Sequence, residues 1–237
     1  MQPGTIGIIG GMGSAATVDL FSKIVELTPA ASDQDHLRIV IDNNPRIPDR
    51  LQAIFHNGED PVPAILSMAL NLQQIGADFL LMPCNTAHVY LERLRAELDI
   101  PFLSIIEAAA KHIKQHYPTI TKVGLLGTDV TIYTGAHREI FANHNLEIII
   151  PDKITQQNCV TKAIYGSDSL KAGKITLPRQ LLIQASNELI KLGAEVILLG
   201  CTELPLAMRQ TNMSIPIIDA NAVLAQAAID FSLSQSR

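Results

Sequence analysis

Short apolar runs alternate with longer amphipathic ones along the whole chain. Residues 5–9, 38–42, 79–82, 123–126, 147–150 and 196–199 predict strands. Residues 15–26, 61–75, 86–97, 133–143 and 177–192 predict helices between them. This rhythm predicts βαβ units and a mostly parallel sheet, an α/β class. A strand at 217–218 and a helix over 220–232 close the chain.

The pattern also repeats. Thr5-Ile-Gly-Ile-Ile-Gly10 is similar to Lys122-Val-Gly-Leu-Leu-Gly127. Gly76-Ala-Asp-Phe-Leu-Leu-Met-Pro-Cys84 is similar to Gly193-Ala-Glu-Val-Ile-Leu-Leu-Gly-Cys201. Gly7 and Gly124, Gly76 and Gly193, and Cys84 and Cys201 all lie 117 residues apart, and Ile100-Pro101 has a near counterpart in Ile215-Pro216. Each match alone is weak, because glycine and aliphatic runs coincide easily; one shared register is what carries weight. We therefore expect two pseudo-symmetric domains, each a mostly parallel sheet flanked by helices. Residues 1–105 plus 216–237 form the N-terminal half and 106–215 the C-terminal half.

The repeat puts Cys84 and Cys201 at equivalent spots, where a strand ends and a helix is expected to begin. Ligands of open parallel sheets collect outside the carboxyl ends of the strands, so a site in the cleft between the halves is expected. Inverting a carbon centre needs a base on one face and an acid on the other, with roles exchanged in the reverse direction. A matched pair of like residues meets that need. A thiol titrates near 8.5, and a helix N-terminus lowers it toward neutrality, where acid–base catalysis is most effective. Asn85 or Thr86, and Thr202, are placed to cap the following helix, and free backbone N–H groups there bind carboxylates. A lone cysteine after a strand is ordinarily a small core residue. That reading fits Cys159, which has no repeat partner, better than the matched pair.

Composition narrows the setting. The chain has 237 residues, 47% hydrophobic and 17% charged, with no Trp; its mean hydropathy is +0.21 and its pI about 5.8. These values describe an aliphatic, well-buried core. Net charge is −5 and no basic block occurs, so nucleic acid is not an expected partner. An acidic protein that binds an anion must build a local positive site. Three cysteines without a CxxC pair, and histidines without ligand spacing, argue against a disulfide framework and a zinc site. No stretch approaches membrane-spanning length, and the first apolar run is interrupted by Gly10, Gly11 and Gly13, unlike a signal peptide. A cytoplasmic protein is expected.

At Pro83-Cys-Asn-Thr-Ala-His88 and Gly200-Cys-Thr-Glu203 the sequence resembles the aspartate/glutamate racemase superfamily. Gly10-Gly-Met-Gly13, Asn43-Asn-Pro-Arg-Ile-Pro-Asp-Arg50 and Lys171-Ala-Gly173 narrow the resemblance to aspartate racemases. It implies racemisation of L- and D-aspartate without pyridoxal phosphate, metal or other cofactor, Cys84 and Cys201 being the two bases. Arg50, helped by Lys171, matches the position that binds the substrate side-chain carboxylate. Asn85, Thr86, Thr128 and Thr202 match positions that hold the α-carboxylate, and Met12 and Gly13 a backbone loop at the substrate. A homodimer is implied as well. Both cysteines are present, whereas some members carry Thr at one of them. Glu203 stands where glutamate racemases usually carry His, and Ser14 where many relatives have Pro.

Read without the resemblance, Arg50 is an ordinary solvated arginine and Lys171 a surface lysine. His88 is a helix residue or a tuner of Cys84, and Glu203 orients Cys201 or lies on the surface. The loop at Gly11-Met-Gly13 could imitate a dinucleotide fingerprint, but Asp42 lies too far on for the usual spacing of about 20 residues. The rival readings are a glutamate or broad-specificity amino-acid racemase, a maleate-type isomerase, a two-lobed receptor for a small anion, and a nicotinamide-dependent enzyme.

Overall fold

The computed structural model describes residues 3–235. The chain divides into two compact units. One runs to Ala108 and resumes at Asn221; the other is Ala109–Ala220. In the first, β1 (Ile6–Gly10) lies between β2 (Ile39–Asn43) and β3 (Phe79–Leu81) in a parallel sheet, with Ile8 opposite Ile41 on one side and Leu81 on the other. Phe102 bridges Leu80 in parallel beyond β3. Helices α1 (Ser14–Leu27), α2 (Arg50–Phe55), α3 (Val62–Gln74) and α4 (Leu91–Arg95) accompany this sheet, and α5 (Ile105–His116) leads out of the unit.

In the second unit the sheet order is β5 (Glu147–Ile149), β4 (Lys122–Leu126), β6 (Val196–Leu199), β7 (Ile217–Asp219), all parallel. Its helices are α6 (Asp129–Tyr133), α7 (Ala136–Ala142), α8 (Lys153–Thr155), α9 (Lys162–Ile164) and α10 (Thr176–Lys191). A π-helical turn, Gln156–Thr161, joins α8 to α9. Helix α11 (Ala220–Ser234) then returns to the first unit. The protein is thus an α/β fold with two parallel sheets flanked by helices. No helix among the described residues is long and apolar enough to cross a membrane.

The repeat is visible in atomic detail. A Cβ built on Gly7 would meet Leu80, Ala77 and Leu72; one on Gly124 would meet Ile197, Ala194 and Leu189. These two sets are the same three positions displaced by 117 residues. In each unit the first strand needs a glycine so that the helix packed on it can approach. Helices α3 and α10 end alike. Ala77 N–H donates to Leu72 O across Gly76, and Ala194 N–H to Leu189 O across Gly193, each at 3.0 Å, the Schellman arrangement with a left-handed glycine. An acid at the next position clamps the start of the central strand. Thr5 N–H donates to Asp78 Oδ2 at 2.6 Å and Lys122 N–H to Glu195 Oε2 at 2.8 Å.

Three expectations are corrected. The strand near residue 217 belongs with the second sheet, because it pairs with β6 as Phe102 pairs with β3; only the helix that follows returns. The helix expected over 133–143 starts earlier, capped by Thr128, and is broken at Gly135, whose φ is 82°. The helix expected over 86–97 is a 3-10 turn, Thr86–Tyr90, followed by the short α4.

Candidate functional site

In both sheets the candidate residues gather at the carboxyl ends of adjacent strands. In the first unit Met12 and Gly13 follow β1, and Cys84 follows β3. Met12, Ile47 and Cys84 belong to one buried cluster with Ile9, Leu80 and Met82. Gly11 has a φ of 99°, and a Cβ there would lie 2.3 Å from Asn44 O, so this loop rests directly on the backbone after β2. Gly13 takes the N-cap position of α1 without a side-chain cap.

Cys84 is 5% exposed. Asn85 and Thr86, both buried, do not open an α-helix, and Asn85 makes no side-chain cap. His88 explains why. Its ring Nδ1 lies 2.8 Å from Cys84 O, and its Nε2 accepts from Ile105 N–H at 3.1 Å. Since Nε2 accepts, Nδ1 carries the proton and donates to Cys84 O. In an α-helix that carbonyl would accept from the His88 amide four residues on. The ring takes it instead, and the His88 amide turns to Asn85 O at 3.1 Å, one residue closer. The result is a 3-10 turn strapped to the start of α5. Complete burial holds the His88 imidazole down to about 4, with Arg95 adding to the effect and the bond to Cys84 and Glu107 opposing it. His88 is therefore a neutral strut acting on the Cys84 backbone.

Arg50 is the first residue of α2, after Asp49, whose side chain accepts from Gln52 N–H at 2.9 Å and caps the helix. Its Nη1 donates to Pro48 O at 3.1 Å and more weakly to Ile47 O at 3.4 Å. Its Nε is buried with no hydrogen-bond partner among the described residues. A part-buried guanidinium held by two carbonyls, with no carboxylate against it among the described residues, is a preset cation. The charge of Arg50 also reaches the phenol of Tyr90. Burial and Asp60 push that phenol up, against Arg93 and Arg50.

In the second unit Thr128 follows β4, and Cys201 and Thr202 follow β6, beside which β4 runs. Thr128 is the N-cap of α6, its Oγ1 accepting from Thr131 N–H at 3.3 Å. Cys201 is 6% exposed, in a cluster with Leu126, Leu170, Leu199 and Cys159. No α-helix starts at Cys201; the next element is a 3-10 turn, Leu204–Leu206. The expected lowering of the thiol by a helix N-terminus is therefore corrected for Cys201. Burial and the neighbouring Glu203 carboxylate raise this thiol well above its usual value, against a smaller pull from Lys171.

Glu203 is the residue the sequence undervalued. Its Oε2 accepts from Cys201 Sγ at 3.0 Å and its Oε1 from Lys171 Nζ at 2.7 Å. The Lys171 ammonium also lies 5.7 Å from the centre of the Tyr165 ring. Gln156 carried no signal, since nothing in the sequence pattern marks a π-helical turn. It is fully buried, and its Nε2 donates to Gly127 O at 3.0 Å and Asp129 Oδ1 at 2.9 Å, holding the backbone just before Thr128. Cys159 packs in the core, where burial raises its thiol.

Two parallel sheets with this repeat, and with cysteines at matching strand ends, match the two-domain fold of solved Asp/Glu racemases. The family model for Asp/Glu/hydantoin racemases matches residues 9–228. The chain is 32% identical over 235 residues to the broad specificity amino-acid racemase RacX of Bacillus subtilis, covering 97% of this chain and 98% of that protein. The solved aspartate racemase of Picrophilus torridus superposes with a TM-score of 0.83 at 33% identity, over 97% of this chain and 94% of that one. A putative Asp/Glu racemase from Yersinia pestis gives 0.80 at 28% identity, over 98% and 100%. The chain belongs to the Asp/Glu/hydantoin racemase family, which supports amino-acid racemisation as its class of activity.

Proposed function

We propose that the protein interconverts L- and D-aspartate without a cofactor, with Cys84 and Cys201 as the two acid–base groups. The observation that carries this reading is the matched pair of thiols. Each follows the equivalent strand of a sheet of the same order, 117 residues apart. One thiolate removes the α-proton, so that the C–H bond breaks and an S–H bond forms. The other thiol delivers its proton to the opposite face of the carbanion. The reading requires both sulfurs to reach one α-carbon from opposite sides.

Aspartate is favoured over a neutral amino acid by Arg50, since a preset guanidinium fork suits a second carboxylate. Asn85, Thr86, Thr128 and Thr202 are assigned to the α-carboxylate, with the backbone at Met12 and Gly13. Donors there stabilise charge developing on that carboxylate in the transition state. The Bacillus subtilis relative favours a second reading, broad specificity among amino acids. The homodimer and the cytoplasmic setting implied by the resemblance belong to the same proposal; sedimentation velocity checks the former.

The test is chiral chromatography of aspartate, glutamate and neutral amino acids in heavy water without added cofactor. Cys84→Ala and Cys201→Ala should each abolish racemisation, while α-proton exchange survives for one enantiomer only. Racemisation that persists when both are replaced refutes the mechanism. Comparable rates on neutral amino acids favour the second reading.

A further inference from the structure

We propose that the π-helical turn at Gln156–Thr161 is the brace of the loop that carries Thr128, and that Gln156 is a positioning residue for the donors this loop offers the substrate α-carboxylate. The inference rests on the assignment of Thr128 made above and extends it to the groups behind the loop.

The loop is closely enclosed. β4 ends at Leu126, and Thr128 caps α6. Between them, a Cβ on Gly127 would lie 2.7 Å from Thr131 Cγ2 and 3.2 Å from Gly200 O. Asp129, on the other side of Thr128, is the first residue of α6. The π-helical turn grips both flanks. Gln156 Nε2 donates to Gly127 O at 3.0 Å and to Asp129 Oδ1 at 2.9 Å. Thr161 Oγ1 donates to the same Asp129 oxygen at 3.1 Å, and Gln157 Nε2 donates to Asp129 Oδ2 at 2.9 Å. Side chains from one turn thus hold the residues before and after Thr128.

The unusual turn makes this grip possible. An α-helix advances about 100° per residue, so residues five apart point about 140° from each other. A π-helical turn, with its i→i+5 bonding, brings such residues onto one face. Gln156 Nε2 and Thr161 Oγ1 accordingly lie 3.4 Å apart, and both reach one carboxylate oxygen. An α-helical turn would point one of them away.

The partners also orient the carboxamide. A carbonyl and a carboxylate only accept, so the nitrogen of Gln156 must face the loop. Its Oε1 then points away, buried and with no hydrogen-bond partner among the described residues. A buried unpaired acceptor is destabilising, and an apolar side chain of similar size would avoid it. Gln156 is fully buried, so contact with solvent gives no reason for an amide there. An apolar residue could not donate to Gly127 O and Asp129, and that donation is the function of the amide. In the proposed reaction negative charge spreads from the α-carbon onto the α-carboxylate, so donors there act most strongly in the transition state. Loosening the loop should therefore act on kcat more than on KM.

The experiment compares Gln156→Met, Thr161→Val, Thr161→Ser and Thr128→Val by steady-state kinetics with aspartate and by amide hydrogen exchange. Gln156→Met should lower kcat about tenfold to a hundredfold, with KM changed by less than about threefold. Thr161→Val should act in the same direction, and Thr161→Ser, which keeps the hydroxyl, should stay near the wild type. Gln156→Met combined with Thr128→Val should be no slower than Thr128→Val alone, because Gln156 acts through that residue. A general weakening of the fold would multiply the two losses instead. Exchange of the 128–131 amides should quicken in Gln156→Met while that of β4 stays unchanged. Should Gln156→Met not fold, Thr161→Val, which keeps the shape of the native side chain, supplies the same comparisons. Losses that multiply in the double variant, or exchange left unchanged, overturn the inference. Wild-type kinetics in Thr128→Val beside faster exchange in Gln156→Met remove Thr128 from the α-carboxylate and leave the brace upheld. A protein that racemises no amino acid yet shows the faster exchange overturns the two-thiol reading and likewise upholds the brace.

Discussion

Acid should loosen the Cys84 turn through His88, and the size of the effect follows from the structure. The imidazole is neutral because burial disfavours its charged form and because Nε2 is occupied as an acceptor by the Ile105 amide. Protonation would set a donor against that donor and place a charge in the core. The folded value lies near 4, against 6.5 for the exposed group. Between those values the unfolded chain binds one proton that the folded chain refuses. Stability therefore falls as pH drops through this window, and His88 adds no further pH dependence above or below it. The shift corresponds to about 3 kcal/mol, a large share of the stability of an ordinary domain. The assay is urea unfolding of the wild type and of His88→Gln across the window. Gln is polar but does not titrate, so carboxylates and the remaining histidines contribute alike to both curves. The wild type should lose about 3 kcal/mol more than the variant between pH 6.5 and 4. Its His88 resonance should stay in the neutral form down to about pH 4. Parallel curves, or a His88 resonance titrating near the value of an exposed histidine, would refute the neutral strut.

Two further outcomes are expected. Arg50→Leu should raise KM for aspartate about 10- to 100-fold, the worth of a charge-assisted hydrogen bond or two, and Arg50→Lys should recover part of it; steady-state kinetics that leave KM unmoved would remove Arg50 from the substrate. Gly7→Ala and Gly124→Ala should each cost about 1–3 kcal/mol by overpacking, measured by denaturant midpoints. A new Cβ at Gly7 lies 2.7 Å from Leu80 Cδ2, and at Gly124 2.9 Å from Ile197 Cδ1, so similar losses are expected if the two surroundings are truly equivalent.

The sequence displays what the two units share and hides what they do not. The shared register was legible because packing enforces it. Gly7 and Gly124 face the same three neighbours, and Asp78 and Glu195 clamp the same strand start, so each residue's neighbours constrain its type in both copies. The signals that failed were local ones, overridden by single side chains. A helical pattern over 86–97 lost its first turn because one histidine ring claimed the carbonyl that its own amide would have used. The helix N-terminus expected at Cys201 is missing because the chain enters a 3-10 turn there. The Lys171–Glu203–Cys201 chain joins segments about thirty residues apart, and no counterpart in the first unit marks it. His88 ties the first cysteine's backbone to a helix, whereas Glu203 bonds the second cysteine's sulfur directly. Two thiols placed alike by the repeat are therefore held by unlike chemistry. On the proposed aspartate reading, a substrate with two different ends and two mirror-related forms calls for such an inequality, which a perfect repeat would not supply.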